Sequence, residues 1–301
     1  MWNHKRGRVK AEISKNAGVK TVEIVLDAET NKRVAVNGMP ITRIGELMGV
    51  ITTVLFSPDE IDIIKDTPQK RRRFMDIALC QLSKSYFYCL FDYNKILAQR
   101  NKLLKKSAPA GAVEVWDMQL IARCAKITRT RREFVRRLEK YAAESHLFLT
   151  DGRENLQIKY EGTTGDDEKE IKQNFSRRLK DCMEIDYKHG YTHCGPQTDD
   201  LVVMLDGTDV RKFGSQGQQR SCALSLKLAE MKLYRDEQGE YPVLLLDDVF
   251  SELDRARACR LAEAVAGFQT IITCTHLPPE IISALEKYSE FIVSGGKITK
   301  K

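Results

Sequence analysis

Residues 241–254 read Tyr-Pro-Val-Leu-Leu-Leu-Asp-Asp-Val-Phe-Ser-Glu-Leu-Asp, an apolar run that stops on two adjacent carboxylates, Asp247 and Asp248. A short apolar run bounded by turn residues reads as a buried strand, and in open α/β folds ligands bind beyond the carboxyl ends of the strands. Around it the pattern alternates: strand 201–205, helix about 217–235, strand 243–247, helix about 254–266, strand 269–274. That alternation predicts an α/β lobe with a parallel sheet. Carboxylates at such an edge suit phosphoryl chemistry, in which one acid orders a Mg²⁺ shell and the other polarises a water. A strand ending at a plain helix cap would look the same, so the neighbouring segments decide.

Upstream, Lys212 to Ser221 (KFGSQGQQRS) leads small and polar residues directly into a Leu- and Ala-rich helix. Free backbone N–H groups at a helix start, a serine hydroxyl and a glycine that permits close approach make a phosphate-binding surface. Downstream, the strand 269–274 runs into Thr273-Cys-Thr-His276 and delivers an imidazole to the sheet edge. Three polar sites are expected to converge there.

Working outward, residues 1 to about 56 alternate apolar with polar positions and are broken at 16–18, 27–31 and 37–38, which predicts a β-meander with one wet face. From Thr67, with Pro68 in a first-turn position after a possible threonine cap, helical spacing runs to about 106. A loop at 107–112, a helix 114–149, a strand 156–160, an acidic loop and a helix 171–187 follow. The 301 residues carry 49 Lys and Arg against 42 Asp and Glu, a net +7. Between Lys65 and Lys140 the count is 19 against 7, or +12, so everything else sums to −5. The clusters Lys70-Arg71-Arg72-Arg73, Arg129 with Arg132, and Arg136-Arg137 lack interleaved acids, which suits a phosphate backbone better than a solvated helix face. No apolar run reaches the roughly 18 residues of a membrane span, and the charged N-terminus has no apolar segment after it, so a cytoplasmic protein is expected. The eight cysteines form no Cys-x-x-Cys pair and read as small buried hydrophobes. His4, His146, His189 and His193 read as structural.

These segments resemble the ATP-binding-cassette ATPase family, and within its SMC-like branch the RecF family of DNA-repair proteins. Ser215-Gln-Gly-Gln-Gln-Arg220 resembles the family signature, Leu244 to Asp248 the Walker B strand, Ser251-Glu-Leu-Asp254 the D-loop, and His276 the switch histidine. The likeness extends to Phe56–Glu60, Arg71–Asp76, Asn94–Leu104, Gly195-Pro196 and Asp199–Leu201. The resemblance implies an α/β ATPase head with an inserted, mostly helical arm: head residues 1–64, arm 65–192, second head lobe 193–301. It implies ATP and Mg²⁺ as cofactors, with Asp247 as the metal-ordering acid, Asp248 as the hydrolytic carboxylate and His276 beside them. Ser215, Gln216, Gly217, Gln218 and Asp254 would meet the ATP held by a second subunit in an ATP-dependent homodimer. It also implies DNA at gaps or single/double-strand junctions, RecO and RecR as partners, and loading of RecA.

Two departures stand out. No Gly-x-x-x-x-Gly-Lys-Ser/Thr loop occurs in the 301 residues, and Gly295-Gly-Lys-Ile298 fails on spacing and context. Met1 aligns some way into the family pattern, so the Walker A strand is expected to be missing beside the Walker B strand, leaving unpaired backbone there. The 301 residues are therefore expected to be ATPase-deficient. Gln197-Thr198 stands where the family usually has His-Arg. An ATP-independent DNA- or partner-binding fragment is the alternative. A chromosome-structuring protein would need longer coiled coils than 67–149, and a transporter head has no use for a +12 arm.

Overall fold

The computed structural model describes residues 5–29, 32–285 and 287–301. His4 and the end of the 27–31 turn lie outside them. The first described elements are a hairpin of two ten-residue strands, β1 (Arg6–Lys15) against β2 (Gly18–Asp27), followed by β3 (Arg33–Val36) and β4 (Met39–Pro40) in the antiparallel order β1-β2-β3-β4. Asn37 and Gly38 both take positive φ, 51° and 77°, the conformation that two-residue hairpin turns need to match strand twist. Val22, Val34 and Val50 bury the small core of this sheet, and its other face is wet.

The expected meander to residue 56 stops at Pro40. A 3₁₀ turn at Ile44–Leu47 carries the chain away, and there Gly45 lies so close to Phe87 and Tyr88 that a Cβ would come within 2.8 Å of both rings. β5 (Thr53–Phe56) then pairs in parallel with β9 (Val243–Asp247), Thr53 opposite Val243 and Phe56 opposite Leu246. Local alternation does not distinguish these two fates, because the partner is distant in sequence.

After the single turn α1 (Asp62–Lys65) come α2 (Pro68–Leu82), α3 (Lys84–Lys105) and the 41-residue α4 (Ala110–Thr150). Thr67 occupies the N-cap of α2 with an extended backbone, but its side chain makes no capping bond. The run read as continuous helix breaks at Ser83, whose Oγ accepts from the Tyr86 N–H at 3.2 Å and starts α3. α4 spans about 60 Å at 1.5 Å per residue. It buries Val113, Leu120, Cys124, Ile127, Phe134 and Leu138 at helical spacing and ends where Asp151 turns left-handed. β6 (Leu156–Glu161), α5 (Glu168–Asp181) and α6 (Met183–His189) follow, so the single helix expected at 171–187 is two, parted at Cys182.

β7 (Asp200–Leu205) also departs from expectation: it lies antiparallel between β6 and β8 (Thr208–Asp209), outside the parallel sheet. Only Leu201, Val203 and Leu205 of this strand are buried, the one-faced alternation of an antiparallel strand. After α7 (Val210–Phe213), α8 (Gln216–Gln238) enters the core through its middle, Ser221 to Tyr234, packing along α4 and joining arm and head in one continuous apolar cluster. Then come β9, α9 (Arg255–Val265), β10 (Thr270–Thr273), α10 (Pro279–Ala284) and the hairpin of β11 (Phe291–Ser294) with β12 (Lys297–Lys300).

The parallel sheet has the order β10-β9-β5. The unpaired backbone expected beside the two carboxylates is therefore not there: β9 is paired on both sides. The unpartnered edges of this sheet among the described residues are the outer sides of β10, where Ile271 is 55% exposed, and of β5. Three cysteines, Cys124, Cys194 and Cys222, are fully buried as expected, whereas Cys274 at the end of β10 is exposed. No helix of the described residues is long and apolar enough to cross a membrane.

Candidate functional site

β9 ends on Asp247, directly opposite Thr273 of β10, and Thr273 Oγ1 donates to the Asp247 carboxylate. The chain turns sharply at Asp248, which sits at φ 53°. Its N–H donates to Thr273 O at 3.0 Å, and Ser251 Oγ donates to its carbonyl at 2.8 Å. This holds the Asp248 carboxylate free: it makes no hydrogen bond or ion pair among the described residues. His276 lies exposed three residues beyond Thr273, likewise without a hydrogen bond or ion pair among the described residues. Asp247, Asp248, Thr273 and His276 thus share the exposed carboxyl end of two neighbouring strands. Among the described residues no three His, Cys, Asp or Glu side chains assemble into a metal site. An exposed carboxylate with one oxygen engaged, Asp247, beside a second one left free, Asp248, fits Mg²⁺, which is usually held by one or two carboxylates together with waters and substrate phosphates.

The signature-like segment is built on a capping box. Ser215 Oγ accepts from the Gln218 N–H at 3.2 Å, and Gln218 Oε1 accepts from the Ser215 N–H at 2.8 Å. The first-turn N–H groups of Gln216 and Gly217 remain directed away from the helix, as at any helix start. Asp254 caps α9 through the Arg257 N–H at 3.0 Å and pairs with the Arg257 guanidinium. These contacts, the backbone one foremost, hold the Asp254 carboxyl below its ordinary range. Arg257 Nε donates to Ser221 Oγ at 2.8 Å, and the same guanidinium lies 3.5 Å from where a Cβ on Gly217 would be. Arg257 therefore ties the 251–254 turn to the start of α8.

Sequence reasoning missed Arg257, although a basic residue three positions after a capping aspartate is a readable signal. It also missed Glu154, which accepts from Gln218 Nε2 at 2.9 Å and meets His146 Nε2 at 3.1 Å. His146 Nδ1 in turn meets Ser225 Oγ at 3.0 Å, and burial lowers this imidazole's pKa. The three expected sites form two groups: no hydrogen bond or ion pair among the described residues joins 215–218 to Asp247 or Asp248.

The arm cations differ sharply. Arg71 is 3% exposed and clasps Asp200 at 2.6 and 2.9 Å, so it belongs to the interior and offers nothing to a phosphate. Arg72 Nη1 donates to Asp199 O at 2.7 Å, and Arg132 reaches the carbonyls of Thr163, at 2.7 Å, and Gly165. Lys70 pairs with Asp62 at 3.2 Å, Arg136 with Glu133 at 2.8 Å, and Arg137 with Glu237. Acids are thus supplied to the clusters after all, in part from distant sequence. Arg73 and Arg129 are exposed with no hydrogen bond or ion pair among the described residues. Two other arm arginines are wholly internal: Arg100 between Asp117 and Asp186, and Arg131 on Asp76. Asp199, buried beside Arg131 and Tyr160, has its carboxyl pushed up to about 6 by burial. Gln197 closes its own turn, donating to the carbonyls of Thr192 and Cys194 and accepting from the Tyr93 hydroxyl.

An α/β head whose central strand ends in Asp-Asp, tied by its next turn to a capped helix and interrupted by a helical arm, is an ATP-binding-cassette ATPase head of the SMC-like kind. The chain is 44% identical over 273 residues to the DNA replication and repair protein RecF of Lachnoclostridium phytofermentans, covering 89% of this chain and 74% of that protein. It is 45% identical over 275 residues to RecF of Acetivibrio thermocellus, with the same shares. It superposes on the structure of the recombination mediator protein RecF with ATP in the RecFOR pathway with a TM-score of 0.90 at 32% identity, covering 100% of this chain and 81% of that one. Against an Smc head bound to the C-terminal winged-helix domain of ScpA, the TM-score is 0.54 at 13% identity over 99% of this chain and 74% of that one, a likeness of fold. No protein-family profile matches the chain. The chain belongs to the RecF family of DNA replication and repair proteins.

Proposed function

We propose that this chain acts as a RecF-type recombination mediator in the cytoplasm, binding DNA at gaps or single/double-strand junctions through its arm and helping to load RecA together with RecO and RecR. ATP with Mg²⁺, when bound, would supply the charge neutralisation for phosphoryl transfer and favour an ATP-dependent homodimer. Asp247 would hold the metal through its water shell, Asp248 would position the hydrolytic water, and His276 stands at the same edge. Ser215, Gln216, Gly217, Gln218 and Asp254 receive the nucleotide of the opposite subunit. The carrying observation is the pair of exposed carboxylates at the end of β9, Asp247 held by Thr273 and Asp248 unengaged among the described residues, with a capped helix start bound through Arg257 to the adjacent turn. The 301 residues hold no Lys-bearing phosphate loop, so hydrolysis by them alone is negligible and DNA binding is the activity to test.

Of the clustered cations in the arm, Arg73 and Arg129 are exposed with no partner among the described residues, whereas Arg71 is fully engaged by Asp200. Duplex affinity measured against salt should fall with a log–log slope of about −0.9 per phosphate neutralised. Arg73→Glu and Arg129→Glu should each flatten that slope by about one contact and leave the melting temperature unchanged. An unchanged slope in both variants would defeat the assignment of the arm to DNA.

A further inference from the structure

A cavity of about 690 Å³ opens between α2 and α3, with Met48 of the head on one side and Pro196–Gln197 on another. Its walls are largely apolar, from Ile77, Phe87 and Leu90. Several of its polar groups are already satisfied: Asp76 by Arg131, Gln81 by the backbone of Thr53, and Gln197 by its own turn. Four are not. Arg72 is half-buried with a single carbonyl acceptor, and Arg73, Gln69 and Asn94 line the cavity with no hydrogen bond among the described residues. Arg71 is neutralised by Asp200 and Arg131 by Asp76, so the surplus positive charge falls on Arg72 and Arg73.

From the mouth, α3 carries an aromatic strip. Phe91 stacks on Phe87 at 6.4 Å with an 11° interplanar angle, is 49% exposed, and has Lys95 Nζ 4.5 Å above its ring. Cations beside exposed ring faces and an apolar slot are the elements with which proteins hold unpaired bases, since every base offers a π-face. A duplex hides its base faces within the stack. An acidic peptide would use the guanidiniums and leave the aromatic strip and the free amides unused.

We propose that this cleft holds one unpaired nucleotide of single-stranded DNA. Its base lies against Ile77, Phe87 and Leu90, its phosphate faces Arg72 and Arg73, and the next base stacks on Phe91. The inference rests on the DNA-binding reading above and gives that reading a subsite for the single-stranded side of a junction.

Fluorescence anisotropy with the full chain tests it, using labelled oligothymidine of about 20 nucleotides, the same backbone without bases, and a duplex of equal length. Oligothymidine should bind at least about fivefold tighter than the abasic strand, and Phe91→Ser should weaken oligothymidine at least about fivefold while leaving duplex affinity unchanged. Equal affinity for the abasic strand overturns the proposal without recourse to any variant. So does no binding of oligothymidine, or an equal loss on duplex in Phe91→Ser. Polyglutamate that displaces oligothymidine as well as unlabelled oligothymidine does would overturn it in favour of an acidic protein partner. Salt-dependent duplex binding that persists through those outcomes leaves the DNA reading standing, whereas its absence would remove both.

Discussion

Truncating Arg131 to alanine separates the arm's internal cations from its surface ones. The Arg131 side chain is 2% exposed, its Nη2 holds both Asp76 oxygens at 2.8 and 2.9 Å, and its Nη1 donates to Pro196 O at 2.7 Å and lies 3.6 Å from Asp199. Removing it leaves two carboxylates without their cation, and breaking a buried pair in this way costs about 3–5 kcal/mol. With an unfolding entropy of about 2.1 cal/mol/K per residue, a chain of this length loses about 5–8 °C in melting temperature for that cost. Arg73→Ala, at an exposed position without partners, should move the melting temperature by no more than about 1 °C. Circular dichroism melts of the three proteins in one buffer, read beside duplex affinity, give the comparison. The double variant Arg131→Met with Asp76→Leu should recover part of the loss, because a whole buried pair can often be replaced by apolar groups at little cost. If Arg131→Ala melted within about 1 °C of the parent and yet lost DNA affinity, the assignment of Arg131 to the interior would be wrong.

Further outcomes follow from named groups. Asp199 has a folded-state pKa of about 6, above its unfolded value near 3.9, so its contribution is greatest when protonated and is lost as pH rises from about 4 through about 6. Comparing urea stability at pH 4.5 and 7 in the parent and in Asp199→Asn should give a difference in pH response of about 2 kcal/mol, and identical responses would refute it. Gly195 stands at φ 121° with the Tyr93 hydroxyl 2.6 Å from where a Cβ would be, so Gly195→Ala should cost at least about 2 kcal/mol in a denaturant titration. Purified 1–301 should hydrolyse ATP no faster than its Asp247→Ala variant, and turnover above that control would show that another group cradles the phosphates.

What sequence reading could recover was what local pattern specifies. The end of β9 on Asp247-Asp248 and the capped start of α8 at Ser215 are each written within a few residues, and both stand where they were expected. β5 and β7 were misassigned because alternation reveals a strand's wet face without revealing its partner. Thr53–Phe56 pairs with residues 243–246, and Asp200–Leu205 with 156–161. The arm clusters looked unopposed for the same reason. Asp200 is 129 residues from Arg71, and Asp186 is 86 from Arg100, so windowed charge counts cannot see the pairs. Glu154 and His146 carried no motif and came to notice only when the fold brought them to Gln218 and Ser225.

The parallel sheet imposes an order on the chain's birth. β5 leaves the ribosome about 190 residues before β9, the strand that pairs with it. At roughly 5–20 residues per second, that interval lasts about 10–40 s. Meanwhile the first hairpin pairs with near neighbours, and α2, α3 and α4 can pack on one another while Val54 and Phe56 wait uncovered. The edge that carries Asp247 and Asp248 is thus among the last parts to be assembled. A nascent chain paused within the arm would display an apolar strand with nothing to pair with, the kind of segment that chaperones hold and that self-associates when they do not.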